Sequence, residues 1–310
     1  MSRIEESLYS KHGLAAKYIA KELIDVAVGQ RIPRVSDFAG KLSLGRGTVQ
    51  GALKILEEMR AIKLEPRGHL GTYLVRSDQT LLYEVAGIGP VIGVMPLPYS
   101  RKYEGLATGI IESLERINQR TGLAYMRGAI PRTEALKSRR YDFAIMSLLA
   151  AEEAMRKIDG LEICKTFGPE TYVTSHKIFF SDERHHSIVG GMKVGIDYSS
   201  VDQAELTLLE CEGKNVELVQ AGYMQLFSML SKGIIDAAVW NADEEKTWQA
   251  FTSSDFHSEK ARQLAAKATT AVMVAESVRE RIKQQLELID TEQVKQVQNL
   301  VLSGKKHPHY

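Results

Sequence analysis

Residues 44–75, LGRGTVQGALKILEEMRAIKLEPRGHLGTYLV, restrict the possible folds more than any other stretch of the chain. A glycine-rich start carrying an arginine runs into an amphipathic helix, and a short basic hairpin then ends in Gly-Thr-Tyr. Two plans accommodate that order: a loop that cradles phosphates, or a helix and hairpin that grip nucleic acid. The phosphate loop fails, because Gly45, Gly47 and Gly51 have neither the Rossmann spacing nor the Gly-Lys-Ser/Thr ending of a P-loop. No buried strand precedes them either.

The residues upstream support the second plan. Leu14, Ala15, Tyr18, Ile19, Leu23 and Val26 recur at helical spacing and predict an amphipathic helix that Gly29 stops. A second, shorter helix follows Arg34, with Ser36 as its cap and Val35, Phe38, Ala39 and Leu42 on its apolar side. The third starts near Gly45 and is expected to bury Val49, Ala52, Leu53, Leu56 and Met59. Strands over 62–65 and 71–75, joined by Pro66-Arg67-Gly68-His69, make the hairpin. Three helices and a hairpin are the winged helix-turn-helix plan.

The face of the third helix opposite its apolar side carries Arg46, Gln50 and Lys54, with Gly47 and Gly51 beside them. A glycine inside a helix costs about 0.5–1 kcal/mol relative to alanine. The expectation is that their missing side chains let the helix backbone approach a groove. Arg46 and Gln50 then have the donors and acceptors to read base edges, while Lys54 meets phosphate. Arg67 and His69 at the hairpin tip reach the flanking backbone or minor groove, and Arg34, Ser36, Thr48 and Thr72 complete the expected contact set with double-stranded DNA.

This region resembles the GntR-type winged helix-turn-helix regulators. Ile32-Pro33, Phe38-Ala39, Arg46, Thr48-Val49, Ala52-Leu53, Leu56 and Gly71-Thr72-Tyr73 match the family's pattern over about a quarter of the chain. The sequence departs from it at Ser36, Gly45 and Gln50, where the family carries Arg, Ser and Arg. The resemblance implies DNA binding and leaves the usual operator sequence open.

Charge agrees with that division. Net charge is only +1, but residues 1–78 hold 13 Lys/Arg against 9 Asp/Glu and the remainder 27 against 30. A basic head on a slightly acidic remainder points to nucleic-acid contact in the first part only. The 310 residues, 44% hydrophobic and 25% charged, suggest two domains. Apolar runs are strand-sized, far short of the ~20 residues that span a bilayer, and residues 1–10 are polar and acidic, unlike a secretory signal. Two unpaired cysteines, Cys164 and Cys211, give neither a disulfide framework nor a zinc motif. The expectation is a cytoplasmic protein with no membrane partner.

Residues 79–87 are expected to link this head, 1–78, to a second domain over 88–310. There, strand-like segments at 91–95, 124–126, 143–146, 193–196, 216–219, 237–240 and 272–274 alternate with helical ones, which predicts α/β layers with parallel sheets. Tyr141-Asp142-Phe143-Ala144-Ile145 and Ile235-Asp236-Ala237-Ala238-Val239 echo one another, each entering a strand. The echo suggests two lobes, the second over roughly 176–265, with a strand at 271–274 and a long helix from Glu276 returning to the first. Together with LFSMLSKGIIDAAVWN, this resembles the type II periplasmic-binding-protein fold used as an effector domain by bacterial regulators. Head and body together resemble the YhfZ family over essentially the whole chain, which implies a transcription factor with a small-molecule sensor.

Ligands of open α/β sheets bind beyond the carboxyl ends of strands. Those ends supply the expected effector site: Tyr99, Ser100, Arg101 and Tyr103; Ser147; Tyr198, Ser199 and Ser200; Asn241 and Asp243. Ser199 and Ser200 open a helix whose free N–H groups suit an anion, Arg101 offers a bidentate partner for carboxylate or phosphate, and Tyr99 and Tyr103 can stack on a ligand. A small anionic or hydroxylated metabolite is expected.

No catalytic set, metal site or cofactor is expected. His185-His186 is a poor ligand spacing, His307 and His309 lie in a terminal KKHPHY segment read as an unstructured tail, and no signature places a base beside either cysteine. The sequence therefore reads as a ligand-responsive DNA-binding regulator acting as a homodimer. Its rivals are a small-molecule-binding protein or enzyme with a vestigial head, and a regulator whose effector domain has another, antiparallel fold.

Overall fold

The computed structural model describes residues 10–117, 119–244 and 251–310, so residues 1–9, read above as polar and acidic, lie outside the described residues. The chain divides into two units, Met1–Gly89 and Pro90–Tyr310.

In the first unit, Ser10 accepts the Gly13 N–H at 3.1 Å and starts α1, Lys11–Ile24. Helix α2 spans Val35–Leu42 and ends at Ser43, whose left-handed φ of 54° turns the chain. Helix α3 spans Arg46–Glu58. Strands β1 (Ile62–Pro66) and β2 (Thr72–Ser77) then pair antiparallel. Their tip needs glycine. Gly71 has φ +96°, and a Cβ there would sit 2.8 Å from Arg31 Cδ. Ala15, Ile19, Leu23, Phe38, Val49, Leu56, Ile62 and Leu74 share one core. Burying each of the larger of these is worth about 1.5–3 kcal/mol, which makes the amphipathic patterning decisive.

Three expectations for this unit change. Ser36 does not cap α2; it lies inside the helix, and Asp37 instead accepts the Arg34 N–H at 2.9 Å. Met59 is 47% exposed, because α3 ends at Glu58 and the chain turns away. The expected linker is helix α4, Gln79–Val85, started by Asp78 accepting the Leu81 N–H, and Leu82 is buried in the same core. Apolar Leu82 and Ala86 tie the segment to the head.

The second unit holds two five-stranded sheets. The first runs β4 (Thr121–Tyr125), β3 (Val91–Met95), β5 (Phe143–Ser147), β12 (Ala271–Glu276), β6 (Leu161–Gly168); the second runs β11 (Thr252–Ser254), β7 (His176–Phe180), β10 (Ala237–Asn241), β8 (Lys193–Ile196), β9 (Glu217–Gln220). Helices α5 (Arg101–Arg116), α6 (Ala129–Lys137) and α7 (Leu148–Lys157) go with the first, and α8 (Val201–Cys211), α9 (Tyr223–Ser231) and α10 (Glu259–Ala268) with the second. The sheets are mixed, not parallel as expected: β12 is antiparallel to β5 and β6, and β7 is antiparallel to β10 and β11. Strands β6, β7 and β11 were not anticipated.

The sequence echo has a structural counterpart. Asp142 Oδ2 accepts the Ile92 N–H at 2.7 Å, joining β5 to its parallel neighbour β3. Asp236 Oδ2 accepts the Lys193 N–H, also at 2.7 Å, joining β10 to β8. The same residue type makes the same join at the start of each sheet's central parallel pair.

The expected long terminal helix is two, α11 (Glu280–Glu287) and α12 (Thr291–Leu302), broken where Asp290 caps the second. Gly105 and Gly109 let α12 lie close against α5; a Cβ at Gly109 would sit 2.8 Å from the Val294 carbonyl oxygen. The terminal KKHPHY segment is ordered, not a loose tail. The His309 N–H donates to Thr108 Oγ1 at 3.1 Å, Lys306 pairs with Glu112, and Tyr310 meets Tyr125 edge-on. None of the described helices is long and apolar enough to cross a membrane.

Candidate functional site

In the head, burial of Val49, Ala52, Leu53 and Leu56 turns Arg46, Gln50 and Lys54 outward on α3, and all three are exposed. Lys54 stands 3.6 Å from Glu58, an exposed pair worth little. Arg34 and Ser36 are exposed, and Thr48 is half-buried. Thr72 is half-buried in β2, its carbonyl accepting the Ile32 N–H. Arg67 and His69 sit at the hairpin tip. Arg67 is already engaged: its Nε donates to Glu65 at 2.8 Å, and its guanidinium lies 4.4 Å over the Tyr73 ring. The two glycines of α3 separate. Gly47 faces open space, whereas a Cβ at Gly51 would sit 2.5 Å from the His12 ring. Gly51 therefore makes room for α1 and does not serve a groove, which corrects half of the expectation.

In the second unit, a cavity of about 400 Å³ lies where strand ends from both sheets converge. Of the ten expected residues, Tyr99, Tyr103, Ser199, Ser200 and Asn241 line it. The other five do not. The Ser100 hydroxyl accepts the Tyr103 N–H and caps α5. Arg101 reaches the Val301 carbonyl on α12. Ser147 caps α7 and donates to Asp202 at 2.6 Å. Tyr198 is 48% exposed. Asp243 accepts the Thr174 N–H at 2.8 Å.

Asp197, at the same strand end as Ser199, also lines the cavity, as do Arg127, Arg132, Tyr172, His176, Asp202, Tyr223 and Gln225, which sequence reasoning missed. Arg132 is buried in the first turns of α6; it donates from Nη1 to the Met126 carbonyl at 2.8 Å and from Nη2 to the Tyr172 hydroxyl at 3.2 Å. Its Nε has no hydrogen-bond partner among the described residues, nor has Nδ1 of buried His176. Arg127 is exposed and donates to the Tyr99 hydroxyl at 2.6 Å. Asp197 accepts from the Ser199 N–H, the Ser199 hydroxyl and the Tyr223 N–H, all within 2.9 Å. Ser199 is thus committed to Asp197, and Ser200 alone begins α8.

Helix capping differs among the helix starts of this unit. Side chains of Ser100, Ser147, Ser258 and Asp290 cap α5, α7, α10 and α12. Among the helices that begin at the cavity, α5 is one of these capped ones, α6 after Gly128 and α8 after Ser200 have no side-chain cap bond, and at the start of α9 Gln225 accepts the Gly222 N–H and Asp197 the Tyr223 N–H. Gly128, at φ +74°, brings the start of α6 within close reach of the Ser199 carbonyl. The uncapped starts of α6 and α8 and the two arginines favour an anion, and Asp197 and Asp202 in the same lining oppose it. Burial sets the remaining groups. It pushes His176 down to about 4, so the ring is neutral at pH 7. It pushes the Asp202 carboxyl up to about 6 against the opposing Ser147 hydrogen bond and Arg132 charge. It also raises the Tyr103 and Tyr172 hydroxyls.

A helix-turn-helix head followed by an α/β body of two mixed sheets is the class these features define. Residues 27–74 match a helix-turn-helix domain family and residues 78–310 match the YhfZ C-terminal domain family. The chain belongs to the YhfZ family. It is 32% identical to the YhfZ protein of Escherichia coli (strain K12) over 311 residues, 99% of this chain and 100% of that one. The crystal structure of YhfZ from Shigella flexneri is similar with a TM-score of 0.60 at 31% identity, covering 71% of this chain and 93% of that chain. A Salmonella typhimurium periplasmic binding protein described for its high arginine specificity is similar in fold alone, with a TM-score of 0.50 at 10% identity over 68% of this chain and 93% of that chain.

Proposed function

We propose that the chain is a cytoplasmic, ligand-responsive transcriptional regulator. A GntR-like winged head binds double-stranded DNA, and a two-lobed body takes a small anionic effector in its cavity. The observation that carries the reading is the exposed Arg46, Gln50 and Lys54 face of α3, on the last helix of a helix-turn-helix domain. The β1–β2 hairpin serves as the wing. A homodimer supplies two heads for half-sites about one helical turn apart, and effector binding between lobes shifts their spacing by population shift.

Binding fits the cavity better than turnover. Neither Cys164 nor Cys211 lines it, and burial pushes both thiols up to about 11, far from a reactive thiolate. The anionic character of the effector rests on Arg127, Arg132 and the uncapped starts of α6 and α8.

The test is selection of bound DNA from a random pool, then affinity for the winner and a scrambled copy at several salt concentrations, with Arg46→Ala in parallel. A preference of ~10³-fold or more that collapses in the variant is expected. Weak, sequence-blind binding that disappears with salt would reduce the head to charge attraction and leave a ligand-binding protein with a vestigial head.

A further inference from the structure

The two aspartates of the cavity are held differently, and the difference bears on what the effector is. This step rests on the reading of the cavity as an anion site. Asp197 accepts three hydrogen bonds, two of them from backbone N–H groups and one from the Ser199 hydroxyl. Asp202 accepts one, from the Ser147 hydroxyl, and its Oδ2 has no protein partner among the described residues. The groups around Asp202 come from four elements: Ser147 from the end of β5, Arg132 from α6, Tyr103 from α5 and Tyr172 from the β6–β7 connection. Only Arg132 among them carries a charge, and it is shared with the Met126 carbonyl and Tyr172.

Formal charge adds a second constraint. With both aspartates ionised, Arg127 and Arg132 are balanced by Asp197 and Asp202, and the lining has no net charge left for an anion. One proton on Asp202 leaves a surplus of a single positive charge, and it turns Oδ2 from a like-charged neighbour into a donor.

We propose that the effector is a small monoanionic acid and that Asp202 takes up a proton from solvent when it binds. The new bond is O–H on the Asp202 carboxyl, and nothing is oxidised or transferred to the ligand. A like charge entering the same desolvated site favours the protonated carboxyl, so binding and protonation reinforce each other. Below about pH 6 the free carboxyl already holds its proton and affinity is flat. Above that, affinity falls by up to tenfold per pH unit until the pKa of the liganded form is passed.

The experiment uses the full-length protein and four acids fully ionised near neutral pH: lactate and benzoate as monoanions, sulfate and malate as dianions. Thermal shift selects binders, and calorimetry at pH 7 in two buffers of different protonation enthalpy counts protons. A monoanion is expected to bind at least tenfold tighter than either dianion, with uptake of between half and one proton per ligand. Asp202→Asn, whose side chain cannot ionise, should abolish the uptake and flatten the pH dependence. Binding without proton uptake, or tighter binding of a dianion, overturns the proposal on the wild-type protein alone. So does uptake that persists in the variant. If none of the four acids binds, the anion reading of the cavity falls first and takes the proposal with it.

Discussion

Asp202 and His176 face one cavity and titrate in opposite senses. The Asp202 carboxyl rises from 3.8 to about 6 on folding, so its contribution is fully present below about pH 4 and is lost as pH rises through 6. His176 falls from 6.5 to about 4, so its contribution is intact above 6.5 and is lost as pH falls toward 4. Between those limits the two slopes oppose, and removing one exposes the other. Asp202→Asn keeps an acceptor for Ser147 and removes the cost of burying a carboxylate. Its stabilising effect should therefore grow by roughly 2 kcal/mol between pH 4.5 and pH 7. Urea denaturation of both proteins at the two pH values measures this, and a constant difference would mean that the carboxyl titrates as if it were in water. At this scale the sequence was half legible. Tyr99, Tyr103, Ser199, Ser200 and Asn241 follow from the rule that ligands sit beyond strand ends. Arg132 and Tyr172 do not, because one lies inside a helix and the other in a connection, and only tertiary convergence joins them. Arg127, just beyond β4, was within reach of the same rule had that strand end been considered.

Helix α3 shows how far element-level reasoning carries. Its apolar period located the buried face correctly as far as Leu56, since four residues recurring at helical spacing leave one solution. It misplaced Met59 because periodicity does not announce where a helix stops. The linker is hard to place for a related reason: Gly87, Gly89 and Pro90 mark a connection, but the aspartate followed by Leu81 and Leu82 just before them is a capped helix start. Glycines were the weakest signal, since Gly47 and Gly51 look alike and only the packing of α1 tells them apart. Gly47→Ala meets nothing within 4 Å, so it should stabilise the head by about 0.5–1 kcal/mol through helix propensity. If the backbone there lies against DNA, the same change should weaken specific binding at least tenfold. Gly51→Ala must first displace the His12 ring and should gain less stability with little effect on DNA. Unfolding curves and operator titrations of both variants separate the roles, and a Gly47→Ala protein with undiminished affinity would rule out close approach.

At the scale of the whole molecule, the division between Gly89 and Pro90 separates two sets of cores, one around Phe38 and Leu56 and others around the two sheets. Units with their own cores are expected to unfold in separate steps. Calorimetry should show two transitions, and truncating Phe38 to alanine, at about 3–5 kcal/mol for a buried aromatic, should lower one of them alone. On the proposed reading, operator DNA should raise the head's transition and a bound acid the body's, each by mass action. A regulator requires more than this sum. If the acid changes operator affinity by some factor, the operator must change acid affinity by the same factor, commonly 5–150-fold or about 1–3 kcal/mol. The two-ligand melt should therefore depart from additivity by that amount in both transitions, with equal size whichever ligand is added first. Strictly additive shifts would leave a DNA-binding head and an acid-binding body on one chain with no communication between them. That outcome would retain both sites and reject the ligand-responsive mechanism.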